Sequence, residues 1–371
     1  MSLSVNELVD RVRAAAADKQ PLRIRGGGTK DFYGHPVAGE MLETGGLSGI
    51  VDYEPSELVV TALAGTPLAE LEAALAERGQ CLPFEPPRFG AGGTVGGMVA
   101  AGLAGPARAS VGSVRDYVLG TQLLNGKAEL LDFGGQVMKN VAGYDVSRLL
   151  AGSLGTLGVI TRVSLKVLPV PPAEATLRWA CSQDEALELL HGWGGQPWPL
   201  NASRWQLEDA ADAGSGVLHL RLRGAVAAVQ AACQTLGGRA VPGEVHSDWE
   251  ACRDQRLAWF AARPPGHDLW RLSLPQTAPV LGSGLANAIG PLVEWHGAQR
   301  WYQLDARDTQ AAHALRQAAH EAGGHAVRFR PADPAAGERF APLSAALARI
   351  HEALRRSFDP HRIFNPGRMH P

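Results

Sequence analysis

The sequence predicts an α+β protein of two domains, and three observations carry that expectation. Short β-branched segments alternate with helical ones from end to end. Three glycine-rich turns crowd the first 170 residues. Pro169, Pro171 and Pro172 then interrupt the chain, and all nine tryptophans, Trp179 to Trp301, fall beyond them. A proline cluster is a natural linker, and a region holding the bulkiest side chains must build a core of its own. The expected division is residues 1–170, 171–335 and a closing segment 336–371.

The 371 residues are 45% hydrophobic, enough for a packed core. The net charge of -2 is spread along the chain, with no basic block for nucleic acid. Cys81, Cys181, Cys233 and Cys252 are far apart and form no CxxC pair, which predicts neither zinc nor an iron–sulfur cluster. Free thiols fit a reducing compartment. The start, MSLSVNELVDRVR, has acids where a signal peptide needs a basic, then apolar, run. No apolar stretch nears the roughly 18 residues of a membrane span. A soluble, cytoplasmic protein is expected.

In chain order, Val5 to Ala17 has helical spacing with a Ser4–Glu7 capping box. Strands are expected at Leu22 to Arg25, Met41 to Glu43, Ile50 to Tyr53 and Leu58 to Leu63. Thr66-Pro67 opens a helix that Gly79 ends. Thr94 caps a short helix from Val95 to Ala101. Val114 to Leu124 reads as a strand, with Asn125-Gly126 as the turn into its partner, Ala128 to Asp132. Gly155-Thr-Leu-Gly158 leads into the strand Val159 to Val167. Beyond the linker, strands at 175–179, 217–222, 269–274 and 299–304 alternate with helices at 184–191, 225–236, 249–262 and 309–322. That pattern suits an antiparallel sheet covered on one face by helices. A last helix covers Ser344 to Ser357.

The glycine turns are the candidate site. Gly26-Gly27-Gly28-Thr29 presents consecutive main-chain N–H groups, a concavity for an anion. Gly92 to Gly97 sets glycines and the Thr94 hydroxyl at a helix start, where the dipole favours negative charge. Gly152 to Gly158 enters a strand. A proper GxGxxG strand–helix fingerprint and a Walker A motif are both missing. Singly each turn is ordinary; three in one domain indicate a cofactor that carries phosphate.

The segments RGGGTKDFYG, AGTPLAELEAALAERGQCLPFEPPRFGAGGTVGGMVAAGLAGPAR, SVRDYVLG, GGQVMKNVAGYDVSRLLAGSLGTLGVITRVSLKVLP and FDPHRIFNPGRM occur in this order. In that order they resemble flavoproteins of the vanillyl-alcohol oxidase, or PCMH-type, FAD-binding family, and within it the smaller FAD-binding subunits of glycolate oxidases. The resemblance implies two subdomains holding FAD between them, an α+β cap domain with an antiparallel sheet, and a C-terminal segment that returns to the FAD domain. Carried over by position, Gly26, Gly27, Gly28 and Thr29 would wrap the pyrophosphate, with Arg25 and Lys30 beside them. Gly93, Thr94 and Gly97 would meet it, or the isoalloxazine, from the second subdomain. Asp116 would lie near the ribose or adenine, Gly152, Ser153, Gly155 and Val159 along the ADP moiety, and Asn365 and Arg368 at the flavin ring. Many relatives read G-S-E-G where this chain has Leu154, so one polar contact is expected to be lost. Thr29 follows Gly28 where covalent relatives carry His or Cys, so non-covalent FAD is expected.

Oxidation of a 2-hydroxy acid needs a base or metal and a cation for the carboxylate. The His-x-Gly-Asp-Gly-Asn-x-His type of motif found in larger relatives is missing, and no metal is expected. Arg271, His296 and Arg300 are the weak catalytic candidates; the plainer reading makes the arginines strand-edge charges in solvent and His296 an ordinary turn residue. The expected function is the FAD-binding subunit of a glycolate oxidase complex. It would oxidise glycolate, a 2-hydroxy acid, to glyoxylate or relay the electrons between a larger catalytic flavin subunit and an iron–sulfur subunit, in the cytoplasm or at the inner face of the membrane through those partners. The alternatives are a stand-alone FAD oxidoreductase of another small alcohol or hydroxy acid, and a non-catalytic assembly subunit.

Overall fold

Ser4 opens the first helix through a closed capping box: its hydroxyl accepts the Glu7 amide while the Glu7 carboxylate accepts the Ser4 amide at 2.6 Å. The computed structural model describes residues 4–135, 145–207, 216–241, 245–282, 285, 287–335 and 337–370. Residues 136–144, most of the VMKNVAGYDVSRL motif, lie outside them. Two units emerge. The first comprises Met1–Ala104, Ser113–Val170 and Pro342–Pro371; the second comprises Gly105–Gly112 and Pro171–Ala341. The octapeptide Gly105–Gly112 thus goes with the second unit although it precedes the proline linker, and the closing segment starts at Pro342.

In the first unit, α1 (Val5–Asp18) sets Leu8, Val12 and Ala15 against β1 (Leu22–Arg25) and β2 (Glu40–Glu43), a parallel pair. Phe364 bridges to Leu22, so the C-terminus extends this small sheet. Next comes a five-stranded antiparallel sheet. Its order is β3 (Ile50–Glu54), β4 (Val59–Leu63), β8 (Val159–Lys166), β6 (Val118–Leu124) and β7 (Leu130–Gly134). Leu68, Leu71 and Leu75 of α2 (Leu68–Ala76), with Met98 and Val99 of α3 (Val95–Ala101), join Val60, Val163 and Leu165 of that sheet in one core. Behind α2, β5 (Gln80–Cys81) pairs with β9 (Leu168–Pro169). The strand expected from Val114 starts only at Val118. A capping box, in which Asp116 accepts the Ser113 amide, winds Val114–Tyr117 into a helical turn, α5. Asn125 makes the hairpin turn expected of it, its side-chain oxygen accepting the amides of Lys127 and Glu129. The short α6 (Val146–Leu149) and the C-terminal α12 (Ala345–Phe358) complete the unit.

In the second unit every pairing is antiparallel, in an eight-stranded sheet of order β13-β10-β12-β11-β15-β16-β14-β17. The strands are β10 (Ala173–Cys181), β11 (Leu200–Leu207), β12 (Gly216–Gly224), β13 (Arg239–Ala240), β14 (His267–Ser273), β15 (Ile289–Glu294), β16 (Gln299–Asp305) and β17 (His325–Arg330). Helices α7 (Gln183–Gly194), α8 (Val226–Thr235) and α11 (Thr309–Glu321) lie on one face. The long helix expected over 249–262 is broken at Gln255, φ +56, and the expectation of one covered face fails as well. The resulting α9 (Val245–Arg253) and α10 (Ala258–Ala261) lie over the opposite face. Phe260 meets Trp301 there at 5.5 Å, while Tyr302, its neighbour in the strand, points to α11. The short α4 (Arg108–Val111) also belongs to this unit. No helix among the described residues is long and apolar enough to cross a membrane.

Asp359 is wholly buried and accepts the amides of Ile363 (3.1 Å) and Phe364 (2.9 Å), folding the C-terminus back onto β1. Asp359→Ala strands two buried donors, so urea unfolding should show a loss of about 1–3 kcal/mol for each.

Candidate functional site

β1 ends at Arg25, and the chain turns through Gly26 to Lys30. Among the described residues, the amides of Gly26, Gly27, Gly28 and Thr29 donate to no acceptor in the protein. Four successive open N–H groups on a partly exposed turn form an anion cradle. Only glycine permits it. A β-carbon at Gly27 would lie 1.3 Å from the Gly92 carbonyl oxygen and one at Gly26 2.4 Å from Thr94 Oγ1, while Gly28 sits at φ +73. Arg25 closes one side, its Nε donating to Asp31 at 2.9 Å. Lys30 stands on the other, 5.7 Å over the Phe89 ring.

The opposing wall is the start of α3. Thr94 caps it, its hydroxyl accepting the Gly97 amide at 3.2 Å. Val95 donates to Thr66 and Gly96 to Ala64, so these amides are already paired. What α3 offers is a surface without side chains; a β-carbon on Gly96 would lie 2.6 Å from that of Ala64.

The third wall is the turn after α6. Gly152, Leu154 and Gly155 all have positive φ, and the amides of Gly152 and Leu154 donate to the carbonyls of Val99 and Ala100. Asn365 fixes its far side: the side-chain oxygen accepts the Ile24 amide at 2.9 Å and the side-chain nitrogen donates to the Leu154 carbonyl at 2.7 Å. Arg368 donates to the carbonyls of His35 and Asp31. Between the walls lies a slot of about 80 Å³ that Gly26, Gly97, Gly155, Leu154 and Asn365 help to line.

The other residues singled out in the sequence are placed differently. Val159 is fully buried and pairs with Leu124 in the sheet. Asp116 caps α5; burial works to raise its pKa, but the Ser113 hydrogen bonds and the charges of Arg115 and Arg148 leave it below the usual carboxylate range. Gly152 and Ser153 line a separate cavity. Sequence reading passed over Ile24, Thr44, Ala64 and Ile160, which line the slot. The one signal available was position, at or just past the end of a strand that meets a glycine turn.

In the second unit the catalytic candidates are held by the fold. Arg300 is completely buried and donates to the carbonyls of Pro279, Ala278 (2.6 Å each) and Gly297, so it is no solvent charge. Arg271 is half-buried on the interior strand β14, 5.2 Å from the Phe329 ring centre. His296, at φ +54 and 8% exposed, shares a 3.0 Å hydrogen bond with Ser110, and its amide donates to Ser203. Burial lowers its pKa to about 4, so it is neutral at pH 7. Among the described residues no three His, Cys, Asp or Glu side chains stand together to hold a metal.

Four unpaired amides and walls of glycine suit a ligand with a phosphate-rich middle and a flat body, as FAD has; the residues present fit that group. The fold and cleft define the PCMH-type class of flavoprotein. Residues 3–134 match the family model described as FAD binding domain. The chain is 46% identical over 363 residues to the glycolate oxidase subunit GlcE of Escherichia coli, covering 98% of this chain and 96% of that protein. It belongs to the GlcE family of glycolate oxidase subunits. A more distant relative is the glycolate oxidase subunit GlcD of Bacillus subtilis, 31% identical over 35% of this chain and 28% of that one. The solved structure of an alkyldihydroxyacetonephosphate synthase superposes with a TM-score of 0.70 over 97% of this chain and 74% of that one, at 15% identity, and so shares the fold.

His296 also predicts an acid response. Its pKa in the fold is below the usual 6.5, so the stability of the neutral form is complete above pH 6.5 and drains away as pH falls towards 4. That loss is on the order of 3 kcal/mol. All nine tryptophans lie between Trp179 and Trp301, so their fluorescence reports this unit. Denaturation followed that way should show a smaller drop between neutral and acid pH for His296→Gln than for the wild type.

Proposed function

We propose that this chain is the FAD-binding subunit of a glycolate oxidase complex, holding FAD without a covalent link. The observation that carries the reading is the cradle of four open amides facing the glycine wall of α3, in a chain that aligns with GlcE along nearly its whole length. Gly26 to Thr29, with Arg25 and Lys30, would hold the pyrophosphate; Gly93, Thr94 and Gly97 would face it; Gly155 and Asn365 would border the ADP half. The close approaches at Gly26, Gly27 and Gly96 leave no room for a side chain at these positions. Bound FAD supplies two-electron acceptor chemistry.

The side chains of the second unit favour a relay role for the chain over direct glycolate oxidation. A substrate carboxylate needs an unoccupied cation, and the Arg300 guanidinium is occupied by three carbonyls. A general base works best with a pKa near neutrality, and that of His296 is about 4. We therefore assign glycolate oxidation to the complex, with a larger flavin subunit and an iron–sulfur subunit as partners. The four free cysteines support a reducing, cytoplasmic location.

Purified chain should be yellow and release FAD on acid denaturation. Gly27→Val, which cannot fit beside Gly92, should lose at least about nine-tenths of the flavin. Gly192→Ala, with open space around it, should keep all of it. Glycolate turnover with an artificial electron acceptor should require the co-expressed partners. Full activity from the lone chain would replace the relay reading with a stand-alone oxidase.

A further inference from the structure

Behind the turn that borders the cofactor slot lies a larger cavity of about 410 Å³, which shares no lining residue with the slot. That volume falls within the roughly 300–1,000 Å³ of small-molecule sites. It sits between α12 and the stretch from Leu149 to Leu157. Leu149, Leu157, Leu343 and Leu354 give it apolar walls, and Arg355, His351 and His370 give it a basic side.

The charges there do not balance. Glu352 is taken up by Arg362 at 2.5 Å and Arg356 at 2.8 Å. Asp359, whose charge acts on Arg355, has both carboxylate oxygens engaged by the amides of Ile363 and Phe364. Arg355 itself makes no ion pair among the described residues, and its buried Nε has no hydrogen-bond partner. The two histidines, with ring centres 6.1 Å apart, add no negative charge. A guanidinium in a partly buried site pairs best with a planar, bidentate carboxylate.

We propose that this cavity is a second ligand site of the chain, separate from the cofactor slot, that takes a small organic carboxylate with its apolar body against the leucines and its anionic end on Arg355. A hydroxy acid as small and polar as glycolate would leave the leucine walls in water, so the ligand is an acid with a hydrocarbon or aromatic body.

Isothermal titration of the flavin-saturated protein with benzoate, and with benzyl alcohol as the uncharged comparator, tests this. Benzoate should bind saturably and benzyl alcohol at least about tenfold more weakly. Arg355→Met should weaken benzoate by about tenfold or more, and Ala348→Phe, which fills the cavity from α12, should abolish binding; both should keep their FAD and their melting temperature. The proposal fails if the wild type shows no saturable binding, if Arg355→Met or Ala348→Phe binds benzoate as the wild type does, or if binding is seen only after FAD is removed. Should Arg355→Met fail to fold, Ala348→Phe decides alone. Loss of flavin binding in the wild type would overturn the cofactor reading without touching this one, since benzoate binding is then measured on the same chain without FAD.

Discussion

Asn365 is the constraint on which the first unit hangs. One side-chain amide accepts from Ile24 at the end of β1 and donates to Leu154 in the turn after α6, while its own main-chain N–H returns to Leu22. Three segments far apart in sequence are thereby fixed at one point. A hydrogen-bonded amide that is 5% exposed is costly to break, because each freed partner is left dry. The price of the arrangement is a non-glycine residue at φ +40. Asparagine tolerates that region better than other side chains and supplies both a donor and an acceptor. Arg368 continues the same work one turn later, holding the carbonyls of the 30–35 loop.

With the walls fixed, the absence of side chains at the glycines becomes an active feature. The first and second glycine turns approach so closely that no β-carbon could stand between them. The four N–H groups of the first turn find no acceptor among the described residues. Unpaired main-chain donors are uncommon in folded proteins unless water or a ligand completes them. Preorganised in this way, they need no rearrangement to receive an anion, which favours affinity. Leu154 fits the same logic. Its amide and carbonyl anchor the turn, contacts that do not depend on its side chain.

The second unit uses polar side chains as framing rather than as chemistry. Glu294 is buried and accepts hydrogen bonds from Cys252, Gln299 and Trp301, and burial pushes its pKa up. Arg300 gathers the carbonyls of the Ala278–Pro279 loop, and His296 is locked by Ser110 and Ser203. Such groups specify one arrangement of a sheet that carries helices on both faces, because each must find its own partner. The octapeptide Gly105–Gly112 enters this frame, with Gly105 accepting the Trp295 indole N–H and Arg108 stacked 4.5 Å from that ring.

The sequence by itself determined the α+β class, the helix from Ser4, the Thr94 cap, the Asn125 turn and the strand from Val159. In each, the information is local: a capping side chain, a turn residue or a period of two or 3.6. Glycine placement was equally legible, since a crowded backbone can be read without knowing what crowds it. Tertiary structure decided the rest. β11, with Asn201, Ser203 and Arg204 buried in it, carries no apolar alternation to betray a strand; Asn201 accepts from Arg221 and Ser203 from the His296 amide, partners that only the fold supplies. Arg300 looks in sequence like a solvent charge and is dry only because three carbonyls converge on it. The open amides of Gly26 to Thr29 needed the fold as well: a glycine turn announces that N–H groups exist, and only their surroundings leave them unpaired.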